Sequence, residues 1–226
     1  MMFLLLLILC LLLAALIMLL LVALSVPIAK TIYLFRLVAQ DPIGIAHANA
    51  SATATFGAWG YCISTLQAST QFSGECSKAK LGYTFDSTVV NVLKANSIAN
   101  SLSRTSTFAL VLHPIACGFT FVAYLIAIYT YIQRRHVSRI AVKPPSRLLP
   151  VLLFTATFLA TIVSLTAFAI DAGVIGVLRK TVYNDSDGLV TLTWGNGVWM
   201  TLGAAITLVF CLGCQWKRFG CCGRRD

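Results

Sequence analysis

Two ionisable side chains stand in stretches of sequence that otherwise carry no charge. His113 lies near the start of the run Phe108–Ile132, and Asp171 closes the run Leu148–Ile170. Imidazole titrates near neutral pH, and an ionisable residue at a membrane edge is a functional suspect, so the chemistry on offer is proton sensing. No spacing brings the two together. The favoured expectation is therefore plain: His113 anchored at the membrane interface, and Asp171 paired with Arg179 or Lys180 just beyond it. A second group is Cys211, Cys214, Cys221 and Cys222, beside Lys217 and Arg218. Cysteines next to a membrane span are typical S-acylation sites. The C-x-x-C spacing also admits zinc, but the adjacent Cys221–Cys222 pair is poorly spaced for a structural site. Catalytic patterns are missing: there is no HExxH, no phosphate loop, no GxSxG and no pair of carboxylates on one helix. We expect no enzyme, no cofactor, no metal and no small-molecule substrate.

The elements that position these residues follow from composition. Of 226 residues, 58% are hydrophobic and only 11% charged. An average soluble domain carries about 25% charged residues, and its surface needs polar atoms. The chain is an integral membrane protein. Four runs are long enough to cross a bilayer: about 2–29, 108–132, 148–170 and 195–214. In lipid their backbone groups are satisfied only as helices. The first run lacks the basic n-region of a signal peptide and is about twice the length of an h-region, so a retained helix is expected.

Charge orients the spans. The connection 133–147 holds Arg134, Arg135, Arg139, Lys143 and Arg147 without an acid, and the tail 215–226 adds Lys217, Arg218, Arg224 and Arg225 against Asp226. The other side, 30–107 and 179–197, mixes basic residues with Asp41, Glu75, Asp86, Asp185 and Asp187. By the positive-inside rule, both termini and the 133–147 loop are cytoplasmic. The net charge of +10 thus reads as topology and attraction to lipid, with no nucleic acid implied. Two glycosylation triplets, Asn49-Ala50-Ser51 and Asn184-Asp185-Ser186, fall on the expected outer side.

The outer segment 30–107 is too long for a bare connection and should fold. Thr53 to Ser64 reads as a strand, Leu81 to Phe85 as its possible partner, and Val89 to Leu102 as a helix feeding the second span. Ile32 to Val38 fits helix extension or strand equally well. Cys62 and Cys76 are the only cysteines on this side. In an oxidising compartment a count of two leaves one pairing, and two free thiols are the alternative. Closing a loop of about 15 residues contributes about 3 kcal/mol on the chain-entropy model.

Phe56-Gly57-Ala58-Trp59-Gly60-Tyr61-Cys62, followed by Cys76, resembles the Trp-x-x-Cys…Cys signature of claudin-like tetraspan proteins. Leu112-His113-Pro114-Ile115-Ala116, Phe168-Ala169-Ile170-Asp171 and Trp194-Gly195 resemble more specifically the fungal PalI family and its eisosome-associated relatives. The resemblance makes Gly57, Trp59, Cys62, Cys76, His113, Pro114 and Asp171 the family-motif residues. It implies a mainly α membrane protein: one four-transmembrane-helix bundle with a small disulfide-linked β-containing extracellular lobe, with Trp59 anchoring the lobe beside the disulfide. It also implies a plasma-membrane accessory that supports a membrane pH sensor in fungal alkaline-pH signalling. The alternative is a structural tetraspan of cortical membrane domains. In either case the expected partners are the lipid bilayer and another membrane protein.

Overall fold

The computed structural model describes residues 2–40, 51–67, 70–71, 75–77, 96–137, 148–185 and 190–222. Four helices are long and apolar enough to cross a membrane. They are α1 (Met2–Ala23), α2 (Asn96–Val137), α3 (Leu148–Asp185) and α4 (Asn196–Cys222). The extensive packing pairs are α1 with α2, α2 with α3, α3 with α4 and α4 with α1. The bundle is therefore a square, with α2 and α4 facing one another across its diagonal.

Packing in the square is asymmetric. α1 contributes Ile8, Leu12 and Leu19, while α2 and α4 answer with Ala116, Ala123, Ala127 and Ala204. Small residues let helix backbones approach, and in lipid that packing drives association. The long side chains of α1 fill the space the alanines leave. Trp199 and Trp216, both exposed, stand 17 positions apart on α4, about 25 Å of helix. Such tryptophans mark the two membrane interfaces. Trp199 rests against Trp194 at one end, and Trp216 against Phe154 at the other.

α2 and α3 run for 42 and 38 residues, about 63 and 57 Å, so both project well beyond the hydrocarbon core. The third apolar run accordingly extends to Lys180. α1 is shorter than expected. It ends at Ala23, and residues 24–29 leave the helix as turns around Pro27, whose ring cannot continue an α-helix. In α2, Pro114 sits inside the helix without ending it. Lipid-embedded helices tolerate this, because neighbours take up the freed backbone group.

The lobe is a six-stranded antiparallel sheet: β1 (Phe35–Gln40), β2 (Ser51–Phe56), β3 (Tyr61–Gln67), β4 (Thr70–Gln71), β5 (Glu75–Cys76) and β6 (Val190–Trp194). Its order is β4-β3-β2-β1-β6, with β5 also pairing β3. Three expectations resolve here. Thr53 to Ser64 is a hairpin rather than one strand, because Gly57 and Gly60 turn the chain within it. Of Ile32 to Val38, the part from Phe35 onward is β1, since Phe35, Leu37 and their neighbours alternate between faces. The helix expected over Val89 to Leu102 is observed from Asn96 onward. Leu81 to Phe85 lies outside the described residues.

Register places Phe35, Phe56, Trp194 and Tyr61 in one row, and Leu37, Ala54 and Leu192 in the next, on the same face. Phe35 stacks on Phe56 at 4.7 Å between ring centroids. This face packs against Val22 of α1, Ile175 and Leu178 of α3, and Val198 of α4. One apolar core thus joins the sheet to three of the helices.

Candidate functional site

Immediately below that shared core lies a buried polar node. His113 of α2, Asp171 of α3 and Thr201 of α4 are 0%, 5% and 0% exposed. His113 Nε2 is 3.1 Å from Asp171 Oδ2 and 3.4 Å from Thr201 Oγ1. The carboxylate is close to the nitrogen but has no aligned hydrogen bond from it, so the contact is electrostatic rather than a well-directed N–H···O bond. The Thr201 hydroxyl donates to Gly197 O at 3.0 Å. Thr201 Oγ1 therefore faces Gly197 O on its own helix and His113 Nε2 across the bundle.

The node corrects the expected partner of Asp171. Its close partner is His113 rather than Arg179 or Lys180, both of which are exposed. The correction has a simple cause. His113 reaches across the bundle diagonal to Thr201, and Asp171 projects inward from α3 at the same level. Thr201 is two residues past Trp199, about 3 Å along the helix, so the pair sits just inside the membrane boundary. A charge there is costly unless balanced. Sequence reasoning flagged both residues but missed Thr201, because a threonine in a span is common and usually bonds its own helix.

Above the node, the first turn of α4 is clamped to the segment before β1. Asn196 Oδ1 accepts from Tyr33 N at 3.0 Å, and Asn196 Nδ2 donates to Thr31 O at 2.8 Å. Gly195 N and Gly197 N donate to Leu34 O and Tyr33 O at 2.8 and 3.0 Å. A Cβ at position 195 would collide with the Tyr33 and Leu34 carbonyls, which explains the Trp194-Gly195 motif. Asn196 carries two of the four bonds, and no pattern in the sequence singled it out.

A second clamp holds the Gly57–Gly60 turn to the end of α1. Ala58 N donates to Ser25 Oγ at 2.8 Å, Trp59 N donates to Val26 O at 3.3 Å, and the Trp59 indole N–H donates to Ala23 O. Trp59 therefore anchors the lobe through α1, satisfying a carbonyl that the helix end leaves open. A Cβ on Gly57 would stand 2.5 Å from Val26 N and O, so this approach demands glycine. Cys62 and Cys76 lie directly opposite one another on β3 and β5 and are disulfide-bonded.

The remaining site residues divide by exposure. Cys211 is buried and its Sγ accepts from Gln215 Nε2 at 3.4 Å, whereas Cys214 is half-buried. Acylation of Cys211 would require the thiol to leave the bundle interior. Cys221 and Cys222 belong to α4 and Asn184 to α3, but their side chains lie outside the described residues, as does Asn49 altogether. Among the described residues, no cluster of three metal-ligating side chains occurs.

Four apolar helices in a closed square, capped by a disulfide-bonded antiparallel sheet that packs onto three of them, define a claudin-like tetraspan membrane protein. A model of the SUR7/PalI family matches residues 2–211, and the chain belongs to that family. A search of curated proteins returns no match.

Proposed function

We propose that this tetraspan is a non-enzymatic accessory of the plasma membrane, one that supports a membrane pH sensor in fungal alkaline-pH signalling. The observation that carries the accessory role is the double clamp. Asn196 and Trp59 fix the lobe to α4 and α1, so the sheet is presented as a preformed surface at a set height above the bilayer. A preformed surface loses little conformational entropy on gripping a partner. The link to pH signalling rests on membership of the SUR7/PalI family. In this reading both termini are cytoplasmic, the lobe is extracellular, Asn49 or Asn184 carries glycan, and acyl chains attach at Cys214, Cys221 or Cys222 in preference to the buried Cys211.

Deletion of the gene tests the reading. We expect loss of growth at alkaline pH and less sensor at the cell surface, with Trp59→Ala reproducing both. Normal alkaline growth combined with fragmented cortical patches would replace it with a structural role in membrane domains. Orientation is tested separately by a protease-accessible tag near Lys143, which should be protected in intact cells.

A further inference from the structure

The two halves of the site form one line of contacts. It starts at the backbone of Thr31 and Tyr33 in the lobe and passes to the Asn196 side chain. Gly197 N also donates to Tyr33 O, and Gly197 O accepts from the Thr201 hydroxyl at 3.0 Å. Thr201 Oγ1 then meets His113 Nε2 at 3.4 Å, and that nitrogen lies 3.1 Å from Asp171 Oδ2. Gly197 turns its N–H towards the lobe and its carbonyl towards the bundle, while Asn196 commits both ends of its amide to the lobe. At the next step a single atom, Thr201 Oγ1, serves both Gly197 O and His113 Nε2.

We propose that this line is a coupling device: the seat of the lobe on α4 and the pairing of α2 with α3 inside the bilayer loosen and tighten together. Three features carry the inference. α2 and α4 lie on the bundle diagonal, so a His113–Thr201 contact ties helices that packing alone leaves apart. The first turn of α4 has little freedom between its ends, because Gly195 and Gly197 N–H groups are both committed to the lobe. And the buried carboxylate makes the inner end costly to misalign, since an uncompensated charge in a low-dielectric interior is strongly unfavourable. A partner that grips the lobe would therefore alter how α2 and α3 meet within the bilayer, and a change in helix packing would alter the lobe. The inference stands whichever partner the lobe binds, so it does not depend on the pH-signalling reading.

Amide hydrogen exchange on the full-length protein in phospholipid nanodiscs tests it, with the Cys62–Cys76 bond confirmed by mass to show that the lobe is folded. Asn196→Ala, an exposed change, should accelerate exchange about tenfold in the turns around His113 and Asp171, within the usual range of intersite coupling. Reciprocally, His113→Leu should accelerate exchange at Tyr33 and Gly197 by a similar factor, because linkage between two sites is symmetric. The double variant should fall short of the product of the two effects. His113→Gln, which keeps an N–H donor, should restore most of the protection. If His113→Leu does not accumulate, the Asn196→Ala arm and the His113→Gln comparison carry the test. Effects confined to the element that was changed, or multiplying independently in the double variant, would overturn the proposal.

Discussion

The bundle has a buried polar cluster at each end, and the two are built on different chemistry. The lobe-end cluster pairs a carboxylate with an imidazole and is wired upward through Thr201 and Gly197. At the opposite end, Gln215 Nε2 donates to Thr157 Oγ1 at 3.0 Å and to Cys211 Sγ at 3.4 Å. That cluster is neutral, it joins two neighbouring helices rather than a diagonal pair, and nothing folded sits above it among the described residues. Gln215 Oε1 is buried without a hydrogen-bond partner. The difference teaches where this molecule concentrates its specificity. A charged pair tolerates one geometry, whereas an amide with one arm idle tolerates several.

The largest effect should come from breaking the charged end. Asp171→Leu or His113→Leu strands the other partner in the bundle, and leaving one member of a buried pair costs about 3–5 kcal/mol. The double change His113→Leu with Asp171→Leu should recover a good part of that loss, because no charge is then left uncompensated. Reversible unfolding in mixed detergent micelles measures both. A double variant as unstable as the sum of its parts would mean that the two side chains stabilise the bundle independently.

Next in size is the lobe's covalent link. Cys62→Ser opens the β3–β5 connection and should cost about 3 kcal/mol, the chain-entropy value for a loop of this size. The loss should appear as protease sensitivity of the sheet with the bundle still folded, since α1 to α4 pack through a separate core. Free-thiol labelling of both cysteines in unreduced protein would remove the basis of this expectation.

Trp59 gives a smaller and more specific contrast. Trp59→Phe keeps an aromatic ring against the lobe core but deletes the indole N–H that serves Ala23 O. A single hydrogen bond of this kind contributes about 1 kcal/mol. Trp59→Ala removes the half-buried ring as well and should cost about 2 kcal/mol, less than the truncation of a fully buried aromatic. Surface delivery should track that order, with phenylalanine mild and alanine severe.

These contrasts also mark what could be seen in advance. The four spans were legible because no soluble fold accommodates such runs. The Cys62–Cys76 pairing was legible because only two cysteines fell on one side. Which face of α1 is buried was not. Leu5, Leu12 and Leu19 face the bundle, while Leu6, Leu13 and Leu20 face outward, and the two sets are chemically identical. Lipid and protein interior are both apolar, so periodicity carries no signal there. The His113–Asp171 contact was hidden for a different reason: it joins residues 58 positions apart on two helices whose relative rotation no local pattern fixes. Asn196 was hidden because its partners are backbone groups, which every sequence supplies.

The smallest expected effect lies at the neutral end, and its sign is the sharpest discriminator between the two clusters. Gln215→Leu removes two hydrogen bonds, to Thr157 and Cys211. Interhelical bonds in bilayers average only about 0.6 kcal/mol, and a thiol is a weak acceptor. Thr157 is not stranded by the change, because its hydroxyl already donates to Leu153 O at 2.7 Å. The same substitution deletes Oε1, whose burial without a partner costs about 1–3 kcal/mol. The terms nearly cancel, with the balance on the stabilising side. We therefore expect Gln215→Leu to lie within about 1 kcal/mol of the parent protein or slightly above it in the same unfolding titration. Exchange protection in the lobe should stay unchanged, since no contact line runs from Gln215 to the sheet. A loss of more than about 2 kcal/mol would place a bound water or another donor on Oε1 and make the two ends of the bundle more alike than their side chains indicate.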